Sequence, residues 1–261
     1  MTTTIHSDTT LLELHNVSLS FKGVKAISDV GFAVRQGEIC ALIGPNGAGK
    51  SSLLNVINGV YQPQQGQIRL RGQTGQLRAQ DAARRGVART FQHIALFKGM
   101  SVLDNVMTGR SRSHAGTWIE QALGVGRARR EEAASRLKAE QVIAFLQIQP
   151  YRHHLVGKLP YGLQKRVELA RALVAEPTLL LLDEPMAGMN RQEKADMSGF
   201  IRDTNHEFGT TIVLIEHDIG VVMGLSDHVI VLEYGRKIAD GTPAQVRADP
   251  AVIAAYLGTR H

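Results

Sequence analysis

The chain has 261 residues, 43% hydrophobic and 21% charged, which is enough to bury a sizeable core and excludes disorder, collagen and coiled coil as descriptions of the whole. One cysteine excludes an internal disulfide framework and suits a reducing compartment. The net charge of +6 is spread along the chain, and its densest basic cluster, Arg127, Arg129 and Arg130, runs straight into Glu131 and Glu132, a mixed helix face that gives no reason to expect a nucleic-acid partner.

The first ten residues, MTTTIHSDTT, lack the basic and apolar regions of a secretory signal. No apolar run approaches the ~20 residues of a spanning helix. A soluble cytoplasmic chain is expected. Residues 11–21 alternate as a strand, Gly23 punctuates, and 26–34 resumes the strand pattern. Residues 38–43 form a short apolar run, the mark of a buried parallel strand. Gly44, Pro45, Asn46, Gly47, Ala48, Gly49, Lys50 and Ser51 then fit G-x-x-x-x-G-K-[ST], a phosphate-binding loop, with a helix expected over 50–58. The glycines permit backbone angles that bring N–H groups onto phosphate oxygens. Lys50 supplies a charge between the β- and γ-phosphates, Ser51 a hydroxyl for Mg²⁺, and Ser52 a reach to the α-phosphate.

Further along, 67–70 reads as a strand, 76–85 as a short helix, and 101–146 as mainly helical, with Ser101 capping 102–107. The glycine-broken stretch 111–126, with Trp118, has no clear pattern. A helix over 162–175 precedes the apolar strand 178–183, which ends in Asp183 and Glu184. At the carboxyl end of a parallel strand these two can hold Mg²⁺ through water and take a proton from attacking water. An amphipathic helix over 191–208 leads to a second apolar strand, 211–216, followed by His217, well placed for the γ-phosphate. A short helix at 219–225, a hairpin around Tyr234-Gly235 and two terminal helices, 243–247 and 250–257, complete the order. Strands alternating with helices predict a mainly parallel α/β sheet. Cys40 is expected in the core, and His153-His154 lacks the spacing of a metal site.

These residues, in this order, resemble the ATP-binding-cassette (ABC) superfamily across nearly the whole chain. The two Walker segments are joined by Gln92 in Arg89-Thr-Phe-Gln92 at the Q-loop. The signature segment follows as Leu159, Pro160, Tyr161, Gly162, Leu163 and Gln164. Ala187, Gly188, Met189 and Asn190 stand at the D-loop and His217 at the H-loop, and Phe21 stands where the family stacks an aromatic on adenine. Finer features resemble the G-type ATPase subunit of branched-chain amino-acid uptake systems: Arg89 to His93, Leu96-Phe97, residues 100–105, Tyr161-Gly162, Ile215 to Ile219 and the ending Gly241-Thr-Pro…Tyr256-Leu-Gly258.

The resemblance implies a P-loop NTPase (RecA-like) α/β fold with a mainly parallel sheet, an antiparallel β subdomain and an inserted α-helical subdomain. It divides the chain into an ATP-binding core (1–95 and 160–240), a helical subdomain (96–159) and a C-terminal helical extension (241–261). It implies ATP and Mg²⁺, the metal held by Ser51, Gln92 and Asp183, with Glu184, His217 and Gln92 catalytic. It also implies a second ABC ATPase subunit, integral membrane permease subunits and, indirectly, a periplasmic solute-binding protein, at the cytoplasmic face of the inner membrane. His93, Leu96, Phe97 and Met100 are expected either to line the groove for a permease helix or to sit in the subdomain core. Two departures stand out. Pro160 replaces the usual signature serine and removes a hydroxyl and an N–H, and Asn190 replaces the D-loop aspartate. An unequal hetero-dimer is expected, with a homo-dimer as the alternative. Non-transport cassettes of DNA repair or translation usually carry two cassettes or a long coiled-coil insertion. Lipid or lipopolysaccharide exporters share the single-cassette layout, but the Tyr161-Gly162 signature and the chain ending favour uptake of small polar solutes.

Overall fold

The computed structural model of the chain describes residues 9–75, 78–110 and 127–257, so the weakly patterned stretch 111–126 and Gly258 lie outside the described residues. Two long strands open the chain, β1 (Thr10–Phe21) and β2 (Val24–Arg35), with apolar residues buried at alternate positions over much of their length. Lys22 and Gly23 join them, both with positive φ, 47° and 87°, as a two-residue hairpin of primed type demands. With β4 (Gln65–Leu70) and β5 (Gln73–Thr74) they form an antiparallel sheet in the order β2-β1-β4-β5.

The second sheet has six strands in the order β10-β9-β3-β8-β7-β6. At its centre are β3 (Ile39–Ile43), β7 (Leu179–Asp183) and β8 (Thr211–Ile215), each buried at every position, as strands covered on both faces are. β6 (Val87–Arg89) and β9 (His228–Glu233) extend the parallel set, and β10 (Arg236–Gly241) closes it antiparallel to β9. Helix α1 (Lys50–Ile57) buries Leu53, Leu54, Val56 and Ile57 in one core with Cys40, Leu42, Leu179, Leu181 and Val213. Helix α2 (Ala79–Arg84) precedes β6. Both the antiparallel and the mainly parallel sheet are as expected, with β4 starting two residues earlier than the sequence pattern and β5 adding a short strand that the pattern did not reveal.

Under β3, His228 sits between Asp240 (2.7 Å) and Glu38 (3.5 Å). Burial opposes its charge, but the hydrogen bond with Asp240 and the nearness of Cys40 and Glu38 outweigh it and push its pKa up to about 12. Asp240 is held below the ordinary carboxylate range by the same contact with His228. Cys40 is fully buried, and burial raises its thiol pKa.

The chain divides into two compact units, one of 1–89, 178–187 and 198–261, the other of 90–177 and 188–197. In the second unit, α3 (Val102–Thr108), α4 (Arg127–Phe145) and α5 (Tyr161–Leu173) pack together, burying Val102, Val106, Ile143 and Val167. Ser101 caps α3 by accepting from the Asp104 N–H (3.1 Å). Arg110 and Lys138 converge on Glu176 at 3.0 and 2.7 Å. Helix α6 (Arg191–Phe208) spans both units, and α7 (Ile219–Leu225), α8 (Pro243–Ala248) and α9 (Pro250–Leu257) follow in the first. Among the described residues no helix is long and apolar enough to cross a membrane.

Candidate functional site

The first unit gathers its polar side chains at the carboxyl ends of β3, β7 and β8. β3 ends at Ile43, and the loop 44–49 turns into α1 with positive φ at Gly44 (145°), Gly47 (80°) and Gly49 (99°). Glycine is required at Gly44 because a Cβ there would stand 2.0 Å from the Leu232 carbonyl oxygen. The Gly235 N–H donates to the Ala48 carbonyl (3.0 Å), which ties the loop to the β9–β10 turn. Pro45 is half-buried, while Asn46 and Gly47 are exposed at the loop tip. Lys50 is buried and its ammonium donates to the carbonyls of Gly44 (2.7 Å) and Pro45 (3.0 Å). Burial lowers its pKa against the opposing fields of Glu184 and Asp183, so cation and carboxylates share one neighbourhood. Ser51 and Ser52 stand in the first turn of α1, where free N–H groups and the helix dipole favour an anion.

At the end of β7, Asp183 is buried with Oδ2 held 2.8 Å from Arg89 Nη2, and its Oδ1 is buried with no hydrogen-bond partner. Glu184 follows at φ 50°, a left-handed conformation uncommon for a non-glycine residue, with its N–H on the Ile215 carbonyl (3.0 Å). Glu184 Oε1 lies 2.7 Å from His217 Nε2. The buried Glu216 accepts from the N–H of Met186 (2.9 Å) and of His217 (3.2 Å), fixing the exits of β7 and β8 together. Such an arrangement can bind a polyphosphate at the loop, take a hard cation on oxygen donors, and offer a carboxylate with a hydrogen-bonded imidazole to a water nucleophile. At the edge of β1, Phe21 meets Tyr61 edge to face at 5.0 Å, both partly exposed.

Gln92, the signature residues and 188–190 belong to the second unit. Pro160 is the N-cap of α5 and offers no side-chain cap, and the Gln164 side chain donates back to the Leu159 carbonyl (2.7 Å). Tyr161 is 44% exposed. Gly162 is buried against Glu193, where a Cβ would meet Oε1 at 2.3 Å, and Leu163 is half-buried. Asn190 and Glu193 exchange hydrogen bonds, each side chain accepting the other's N–H at 3.0 Å, as a capping box at the start of α6 does. Around Gln92 the main chain is held from α5. Lys165 donates to the Gln92 carbonyl (3.0 Å), and Glu168 accepts from the Phe91 N–H (3.4 Å). Leu96 is in the core, whereas His93, Phe97 and Met100 are exposed.

Sequence reasoning singled out Lys50, Asp183, Glu184 and His217, and the structure brings them to one sheet edge. It missed Glu216, Asn55, Lys165 and Glu168, and gave Arg89 no role. Residue type gave no signal for them: the helices that carry Asn55, Lys165 and Glu168 hold several other polar residues, and Glu216 lies just beyond the end of β8.

With this geometry in view, comparison with known proteins is direct. Residues 27–187 match the ABC transporter family, and residues 236–261 match the branched-chain amino acid ATP-binding cassette transporter family. The chain is 38% identical over 249 residues to the high-affinity branched-chain amino acid transport ATP-binding protein BraF of Pseudomonas aeruginosa, covering 95% of this chain and 98% of that one. It is equally similar, 38% over the same shares, to the corresponding protein LivG of Escherichia coli K12. A crystal structure of the ADP conformation of an ATP-binding cassette of an ABC transporter superposes with a TM-score of 0.83 at 29% identity, covering 95% and 99% of the two chains. A nucleotide-free cassette superposes at 0.82 with 28% identity, covering 95% and 98%. The phosphate loop, the acidic strand end and the family match over more than half the chain together make this an ATP-hydrolysing cassette that belongs to the ABC transporter family.

Proposed function

We propose that the chain is the ATPase subunit of a branched-chain amino acid importer. In this reading it lies at the cytoplasmic face of the inner membrane against integral permease subunits. A second ATPase subunit pairs with it, and a periplasmic solute-binding protein supplies the solute. One observation carries the reading: likeness to BraF and LivG extends over 95% of this chain and 98% of each relative, with the C-terminal match at 236–261 added.

Within the site, Gly44 to Ser52 bind the ATP phosphates, with Lys50 turning from its carbonyl partners to the phosphates, and Phe21 faces the adenine. The unpartnered buried Oδ1 of Asp183, together with the Ser51 hydroxyl, fits a hard divalent cation. Mg²⁺ would be held by Ser51 and Asp183, and when bound it neutralises phosphate charge. Glu184 accepts the proton of the attacking water, and His217, bonded to Glu184, orients that carboxylate. Tyr161, Gly162 and the start of α5 face ATP held by the other subunit, and Ala187 to Asn190 lie at the seam. Without a serine at 160, this face is the weaker half of an unequal pair.

The test is uptake of radiolabelled leucine, isoleucine and valine by cells that depend on this chain, with and without Glu184→Gln. Loss of uptake in the variant supports the reading. Unaltered uptake of all three overturns the solute assignment and leaves the ATPase intact.

A further inference from the structure

Arg89 ends β6 and has no assigned part in the chemistry. Its position follows from strand register. β6 and β7 run parallel with Arg89 opposite Leu181. Asp183 is two residues beyond Leu181, so both project to the same face of the sheet. Helix α1 covers that face, because its Leu53, Leu54, Val56 and Ile57 share a core with Leu179 and Leu181. The guanidinium is therefore caught between two elements of the site. One arm, Nη2, bonds Asp183 Oδ2 at 2.8 Å, and the other, Nη1, bonds Oδ1 of Asn55 on α1. The side chains of Arg89 and Asp183 are only 6% and 4% exposed. A rigid planar fork presents separate nitrogens to two acceptors on separate elements, whereas a lysine has all its donors on one atom.

We propose that Arg89 is a positioning residue. It ties the Asp183 carboxylate to the phosphate-loop helix by one oxygen and leaves the other, Oδ1, available to Mg²⁺. This inference rests on the metal-holding role of Asp183. It has a rival of opposite sign. If Arg89 merely neutralises Asp183, it competes with the cation, and its removal strengthens metal binding. If it positions the carboxylate, its removal weakens metal binding although a positive charge has gone.

Equilibrium binding of a fluorescent ADP analogue to the full chain, in EDTA and across a Mg²⁺ titration, separates the two. The Mg²⁺ response of each variant is read relative to that variant's own affinity in EDTA. In Arg89→Leu, the Mg²⁺ concentration giving the half-maximal response is expected to rise about tenfold, the usual scale for loss of a residue that orients a metal ligand. Arg89→Lys retains the charge without the bridge and is expected to shift the same way. Asn55→Ala breaks one arm while leaving the ion pair, and is expected to shift it less. It keeps the test available if Arg89→Leu does not fold. An unchanged or lower Mg²⁺ requirement in a folded variant overturns the proposal. Asp183→Asn separates the two layers. If it leaves the Mg²⁺ dependence intact, the metal role of Asp183 falls. If it abolishes that dependence while Arg89→Leu and Asn55→Ala leave theirs at wild type, only the role of Arg89 falls.

Discussion

Helices α1 and α5 both begin at the end of a loop with free N–H groups, and they are equipped differently. The start of α1 has Gly49 as its N-cap at φ 99° and a buried lysine as its first residue, with two carboxylates acting on that lysine. The start of α5 has Pro160 as its N-cap, no acidic residue in its first turn, and an exposed tyrosine. The buried charges of α5, Lys165 and Glu168, are turned to the main chain of 91–95 and not to the helix start. One start thus holds cation, acid and potential base in one place. The other offers a dipole and a surface, which suits a ligand carried by something else.

The sharpest way to break this contrast is at the first start. Glu184→Gln is expected to retain ATP binding and lose turnover by about 10²–10⁴-fold, the range for loss of a general base. Phosphate release beside nucleotide binding measures both, and retained hydrolysis removes Glu184 from that role. Lys50→Met is expected to weaken nucleotide binding by roughly 10–100-fold, since a charged hydrogen bond contributes about 1.5–3 kcal/mol. At the second start, Pro160→Ser restores a hydroxyl and an N–H. It is expected to raise the ATPase rate of the chain alone about fivefold, the scale of one added hydrogen bond, and an unchanged rate denies that Pro160 makes the pair unequal.

Two smaller effects test the scaffolds under each start. His228→Gln loosens the sheet edge beside β3. A group whose pKa is raised on folding stabilises fully below its unfolded value of about 6.5 and loses that contribution as pH climbs toward about 12. The deficit in Tm is therefore expected to be about 4 °C near pH 6 and smaller at pH 9 by thermal melts. An equal deficit at both pH values contradicts the ion cluster. Asn190→Ala removes the cap of α6 and is expected to lower Tm by about 2–4 °C, whereas Asn190→Asp should keep it. Equal losses in both variants exclude the cap.

What the sequence revealed divides along physical lines. The run 38–51 declares strand, loop and helix within one short window, so that strand–loop–helix unit was legible without the fold. The place of Asp183 and Glu184 at the end of a strand was legible for the same reason, because the residues before them are all apolar. Arg89 was not, because its partners lie 34 and 94 positions away and meet it only through the pairing of β6 with β7. The left-handed backbone of Glu184 leaves no trace in its residue type. Asn190 was noticed as a charge difference, yet its visible work is local, as one half of a capping box. Leu96, Phe97 and Met100 read alike as apolar, and only packing separates the first from the other two.

Strand β3, which leads into the phosphate loop, lies between β8 and β9, and its residues Cys40 and Ala41 pair with Val213 and Leu214 on one side and with His228 and Val229 on the other. A chain emerging from the ribosome holds this strand early, but its two neighbours, β8 and β9, are made much later. The loop's own anchors, Leu232 beside Gly44 and Gly235 on Ala48, come later still. Contacts of such long separation close late in folding. A nascent chain cut short before the β9–β10 turn is therefore expected to carry the full motif without nucleotide binding, which a binding measurement on that truncation checks. Nucleotide affinity, although written around residues 44–51, waits on residues 228–235.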